Sequence, residues 1–191
     1  MTDSLMLETG RMLLRPFRED DLDLIQALYC DAEILRYAPF DIMTDSQAKT
    51  HLARIIRDWD ETPLRSLEFA MVRKSDKVKI GRSHILIDPE TDTGMIGWFL
   101  RKEYWGHHYA AEAGDSLIHY CFEELGLHRV NALLHPGNRA SRKVLERCGL
   151  RQEAWFRQKC RYTKRGTISW EDEMEYAILA SEWAEKRSDY G

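Results

Sequence analysis

The run Tyr104-Trp105-Gly106-His107-His108-Tyr109-Ala110-Ala111-Glu112-Ala113 is where residue types and spacing first suggest chemistry. It joins an apolar strand to a helix, and no Ser, Thr, Asp or Asn stands where an N-cap belongs. The first N–H groups of that helix therefore have no obvious side-chain acceptor. Together with the positive end of the helix dipole they make a natural anion site. Gly106, Ala110, Ala111 and Ala113 are small enough to let a ligand or the neighbouring sheet come close. A tight turn whose amides meet water explains the same residues, and this segment alone does not choose.

A second segment runs Leu127-His128-Arg129 to Pro136-Gly137-Asn138-Arg139-Ala140-Ser141. With Asn138 as N-cap, Ser141 is N3 and shares a face with Val144, Leu145 and Cys148. A hydroxyl on an apolar face needs a partner. It either bonds back to Asn138 or the main chain, or it faces a cleft between two parallel strands and contacts a ligand there with Asn138.

Other chemistries fit less well. His107 and His108 are adjacent, so their side chains diverge, and no Cys or Asp completes a metal-ligand set; no metal is expected. There is no G-x-x-x-x-G-K-[ST] phosphate loop and no G-x-S-x-G nucleophile turn. Cys30, Cys121, Cys148 and Cys160 are widely spaced and read as free thiols of a reducing compartment.

The elements that must position these residues follow from periodicity. Met12 to Arg15 reads as a first strand closed by Pro16. A helix begins at Asp20 and Asp21 and carries Leu22, Ile25, Leu28 and Tyr29 at helical spacing. Thr44 and Gln47 form a capping box ahead of Ala48, Leu52, Ile55, Ile56 and Trp59. Leu67, Phe69 and Met71 alternate, Val78 to Ile87 follows a polar turn, and Met95 to Leu100 follows Asp88–Asp92, which predicts an antiparallel meander. A helix from Tyr109 to Leu125 stops at Gly126, and Arg129 to Leu134 is a short strand. The helix Asn138–Cys148 ends on Gly149. Leu150–Tyr162 and Thr167–Leu179 make a long hairpin turning near Lys164-Arg165-Gly166. The order predicts a mixed α/β sheet, with the Tyr109 helix crossing over between two parallel strands.

The 191 residues, 43% hydrophobic and 31% charged, suit one folded α/β domain over 1–191. A net charge of −4 gives no footprint for nucleic acid. No apolar run reaches membrane-spanning length, and Met1 to Met12 lacks the regions of a signal peptide, so a cytoplasmic protein without membrane partners is expected.

Taken in order, Trp105-Gly106-x-x-Tyr109-Ala110-x-Glu112-Ala113, Leu125-Gly-Leu-His-Arg-Val130, Asn138-x-x-Ser141 and Val144-Leu145-x-x-x-Gly149 resemble the GNAT superfamily of N-acetyltransferases, in its RimJ/RimL-like branch. Leu13-Leu14-Arg15-Pro16 and Trp170-x-Asp172 with Tyr176-Ala177 and Glu182-Trp183 extend the match over nearly the whole chain. The resemblance implies a sheet of six or seven strands with flanking helices and a V-shaped split between the fourth and fifth. It implies acetyl-CoA as co-substrate, its pyrophosphate on Gly106, His107, His108, Tyr109, Ala110 and Ala111. Pantetheine would lie along Phe99, Leu100 and Arg101 and meet Asn138, with Ser141 near the sulfur. Arg139, Arg142 or Lys143 could reach the 3′-phosphate, although each reads equally as a solvated charge.

Two departures stand out. The usual first glycine of the phosphate motif is His108 here, a residue type that tolerates left-handed backbone. The position of the fourth-strand Glu is Met95, which leaves Glu153, Glu68 and Glu171 as candidate bases and as plain surface carboxylates. Ser141 is the candidate to contact or protonate the thiolate. The implied reaction is direct attack of an amine on the thioester, with a strand N–H near Phe99 or Leu100 holding the oxyanion. A protein N-terminal α-amine is the expected acceptor. A small amine (antibiotic, polyamine or amino acid) is the alternative, and a CoA-binding module without turnover is the reading from another class. Trp155, Trp170 and Trp183 suit either a homodimer surface or core packing.

Overall fold

The computed structural model describes residues 5–59 and 63–188. One sheet holds eight strands: β1 (Leu7–Glu8), β2 (Met12–Pro16), β3 (Ser66–Arg73), β4 (Lys79–Asp88), β5 (Thr93–Leu100), β6 (Arg129–Leu134), β7 (Arg151–Lys164) and β8 (Thr167–Leu179). The helices are α1 (Leu22–Tyr29), α2 (Asp45–Asp58), α3 (Tyr109–Glu123), α4 (Arg139–Arg147) and α5 (Ala180–Ser188). The spatial order is β1-β2-β3-β4-β5-β6-β8-β7. The count exceeds the expected six or seven because Leu7–Glu8 pairs with Leu13 and Leu14 of β2. A two-residue strand leaves no alternation to read.

Only β5 and β6 run parallel, and α3 is the crossover between them. Their pairing covers Thr93–Arg129, Gly94–Val130 and Met95–Asn131 and then ends. Beyond it, β5 continues to Leu100 on the hydrogen bonds of β4, and β6 continues to Leu134 on those of β8. Each strand keeps an outer partner for its backbone, so the inner edges can part. The V-shaped split therefore opens between β5 and β6, at their C-terminal ends.

Both faces of the sheet are covered. On one face, Ala110, Ala113, Leu117 and Cys121 of α3 and Leu145 of α4 pack with Met12, Leu14, Phe69 and Ile96. Gly114 permits the approach of α4, since a Cβ there would lie 3.0 Å from Cys148 Sγ. On the other face, Leu24, Ile25 and Leu28 of α1 and Ala48, Leu52 and Ile55 of α2 pack with Ala70. Each fully buried Leu or Ile in these layers contributes about 1.5–3 kcal/mol. Thr44 and Gln47 form the expected box: Thr44 N donates to Gln47 Oε1 at 2.8 Å and Gln47 N to Thr44 Oγ1 at 3.3 Å.

The β7–β8 hairpin turns on Arg165 and Gly166, both with positive φ (+49° and +74°), as a two-residue hairpin turn with a right-handed twist requires. Its tip grips the segment between α1 and α2. Tyr162 Oη donates to Tyr37 O at 2.9 Å, and Lys164 Nζ donates to Leu35 O and Phe40 O, each at 2.7 Å. Among the described residues no helix is long and apolar enough to cross a membrane.

Candidate active site

The split leads into a cleft of about 1020 Å³. On the α3 side its wall includes Phe99, Leu100, Gly106, His108, Tyr109 and Ala110, and on the α4 side Asn138, Ser141 and Lys143. These residues come from three separate segments, which the sheet brings to one opening.

The turn before α3 is held by main-chain and indole bonds. Trp105 Nε1 donates to Leu100 O at 2.9 Å, tying the turn to the end of β5. Gly106 takes φ +78° and His108 φ +63°, and His108 is the N-cap of α3 without a side-chain cap bond. The first helical acceptor is His108 O, which takes Glu112 N at 3.1 Å. The amides of Tyr109, Ala110 and Ala111 thus have no partner within the helix. Glu112 adds a carboxylate to the first turn, where the dipole favours it, and accepts from Thr9 Oγ1 at 2.6 Å and Arg11 N at 2.7 Å. His108 lines the cleft, whereas three expected neighbours do not. Arg101 turns to Asp23 at 3.3 Å, His107 is exposed on the outside of the turn, and Ala111 is buried, its carbonyl accepting from Cys148 Sγ at 3.5 Å.

At α4, Asn138 Oδ1 accepts from Ser141 N at 3.1 Å, so the Asn138 side chain caps the helix. The link back to Asn138 expected of the Ser141 hydroxyl is made by the Ser141 amide instead, and Ser141 lines the cleft. Arg142 pairs with Glu146 at 2.9 Å, and Arg139 and Arg142 are absent from the lining.

The opposite end of the cleft is built from side chains that alternation in the sequence gave no reason to join. On β5, Met95, Gly97 and Phe99 face this end. Beside them stand Glu68 of β3, Arg82 and His84 of β4, and His51 and Arg54 of α2. Glu68 is 5% exposed and accepts from Arg82 Nη1, and from Arg54 Nη2 at 3.3 Å. Tyr29, Phe40 and Phe99 wall this cluster, with centroids 5.8 Å apart for Tyr29–Phe99 and 5.9 Å for Tyr29–Phe40. Burial pushes the Tyr29 hydroxyl up to about 12 and the His51 imidazole down to about 4. Burial, reinforced by the Arg82 charge, holds His84 well below the ordinary imidazole value.

The candidate bases separate clearly. Glu153 pairs with Arg129 at 2.7 Å and Arg151 at 2.8 Å, and Glu171 approaches His135 at 3.9 Å; neither lines the cleft. Glu68 does, but two guanidiniums, those of Arg82 and Arg54, occupy its carboxylate oxygens. Glu33 and Glu173 are cleft carboxylates that sequence reasoning missed.

A GNAT acetyltransferase fold is what this split sheet and uncapped helix define, and sequence comparison agrees. A family profile described as "Acetyltransferase (GNAT) domain" matches residues 11–151, well over half the chain, and the protein belongs to that family of acetyltransferase enzymes. Among its relatives is the uncharacterized N-acetyltransferase YnaD of Bacillus subtilis, 30% identical over 93% of this chain and 98% of YnaD. In fold the chain resembles RimL, a ribosomal alpha-N-protein acetyltransferase solved with coenzyme A (TM-score 0.79, 15% identity, 92% of this chain and 98% of RimL). It equally resembles a chimera of the Vibrio cholerae spermidine N-acetyltransferase SpeG (TM-score 0.75, 18% identity, 92% of this chain and 99% of the chimera). At these identities the two structures speak to fold, and they act on different amines.

Proposed function

We propose that the protein, acting as one cytoplasmic unit, transfers the acetyl group of acetyl-CoA to the α-amine of a peptide or protein N-terminus. The observation that carries this choice of acceptor is the charge of the cleft. Its wall holds three acids (Glu33, Glu68, Glu173) and four bases (Arg36, Arg54, Arg82, Lys143). A polyamine calls for an excess of carboxylates, whereas a single α-amine does not.

In this reading the amides from Gly106 to Ala111 bind the pyrophosphate. The thioester enters along Phe99 and Leu100 between the parted strands. Asn138 Nδ2 and the Ser141 hydroxyl meet the pantetheine end, Ser141 next to the sulfur. A β5 amide beyond Met95, freed from pairing with β6, polarises the carbonyl that the amine attacks. Met95 supplies no base, so the amine loses its proton to a cleft carboxylate through solvent.

The test is CoA release with acetyl-CoA and a panel of unblocked peptides, N-blocked peptides, and spermidine. Turnover restricted to unblocked peptides is expected, lost in Ser141→Ala with Asn138→Ala. Faster turnover of spermidine would overturn the acceptor assignment, and binding of acetyl-CoA without turnover of any amine would favour a CoA-binding module.

A further inference from the structure

The polar cluster at the acceptor end is assembled with more donors than it can use. Arginine offers N–H donors and no acceptor, so an imidazole nitrogen that meets it must accept. Arg82 Nη2 lies 2.5 Å from His84 Nδ1, and Arg54 Nη2 lies 3.4 Å from His51 Nδ1. Both rings are kept neutral by burial, and each is therefore fixed with its proton on Nε2. Neither ε nitrogen meets a protein acceptor among the described residues. His51 Nε2 is buried without a partner, and the hydrogen bond of His84 runs through Nδ1. Arg82 Nε is a second buried donor left unmet. A buried donor is costly to leave unsatisfied. Every unmet atom of the cluster is a donor nitrogen, so a ligand that completes it must bring oxygen.

The position of His84 says which part of a ligand that is. Its ring abuts Gly97, where a Cβ would stand 2.4 Å from Cε1 and 3.0 Å from Nε2. Gly97 is two residues past Met95, the last β5 residue paired with β6, and so stands at the mouth of the split. The Nε2–H group is thus beside the strand along which the acetyl group arrives in the reading above.

We propose that His84 Nε2–H binds the carbonyl oxygen attached to the amine-bearing carbon of the acceptor, which makes it a specificity-determining residue. The selected class is then the α-aminoacyl group, in which the oxygen follows the amine by one carbon, over alkylamines that have no such oxygen. This deepens the acetyl-transfer reading of the cleft and rests on it. It also excludes His84 as the base that takes the amine's proton, because the nitrogen facing the acceptor already carries one.

The experiment compares a short unblocked peptide with the same peptide whose first carbonyl is reduced to methylene, in wild type, His84→Phe and His84→Gln. Wild type should prefer the intact peptide. His84→Phe should cut its kcat/KM by roughly five- to tenfold, chiefly through KM, and leave the reduced peptide unchanged. His84→Gln keeps an N–H donor and should recover most of the loss. An equal thermal shift with acetyl-CoA in all three proteins shows the fold and cofactor site intact. Equal turnover of both peptides by wild type, parallel losses on both in His84→Phe, or a Gln variant no better than Phe would each overturn this inference alone. Wild-type protein that acetylates spermidine and neither peptide would overturn it together with the peptide reading.

Discussion

The two ends of the cleft are built by different means. The α3 end is built from main chain: small residues, two positive-φ positions and amides left over by helix geometry. The β3–β4 end is built from buried charge, with Glu68 between two guanidiniums and two neutral imidazoles beside them. A main-chain site depends on backbone shape and tolerates side-chain change. A side-chain cluster fails when one member is removed, because the rest are left buried and unpaired.

The largest effect should come from breaking that cluster. Arg82→Met leaves the Glu68 carboxylate, with 6% side-chain exposure, to Arg54 alone. We expect a loss of about 3–5 kcal/mol in urea denaturation, partly recovered when Glu68→Gln is added. An unchanged midpoint would mean that Glu68 is not committed to Arg82. Next comes Gly97→Ala, whose methyl collides with the His84 ring; a cost of about 1–3 kcal/mol is expected, relieved in the double variant with His84→Ala. If the two changes simply add, the ring does not lie on Gly97.

Acid should separate the two ends again. His51 and His84 bind protons in the unfolded chain near 6.5, but in the folded protein only at much lower pH, about 4 for His51. The unfolded state therefore holds more protons throughout that window, and stability falls as pH drops from 6.5 towards 4. Melting temperatures read between pH 7 and pH 5 should decline, and decline less in His84→Gln; identical slopes would remove His84 from the account. The smallest effect belongs to the main-chain end. His108→Gly removes the strain of φ +63°, so stability should rise by about 1 kcal/mol or less and acetyl-CoA affinity should hold or tighten. A large loss of affinity there would show that the imidazole grips the phosphate.

Much of the fold was legible because local chemistry decides it. The Thr44–Gln47 box, Gly149 at φ +87° and the polar turns between strands each act within a few residues. The main-chain end of the cleft was legible for the same reason: the missing cap before Tyr109 is a local fact. The side-chain end was not. Glu68 between Leu67 and Phe69 reads as the wet face of a half-covered strand, yet α1 and α2 cover that face. Its partner Arg82 is 14 residues away and reaches it only through the β3–β4 register, which pairs Glu68 with His84. Ser141 was half legible: its link to Asn138 could be foreseen, but not that the amide alone would make it.

The grip of the hairpin tip on the α1–α2 segment has a consequence for the order in which the molecule is made. Its bonds join residues 124 to 129 positions apart, Tyr162 to Tyr37 and Lys164 to Phe40 and Leu35. The segments of the cofactor end, β5 to α4, are by contrast contiguous in the chain. A nascent chain can therefore form the turn before α3 early, from neighbours in sequence, while contacts of such long range come late. The acceptor chamber acquires its roof only when the last hairpin has emerged, so a chain truncated before Tyr162 lacks the enclosure in which an acceptor would be chosen.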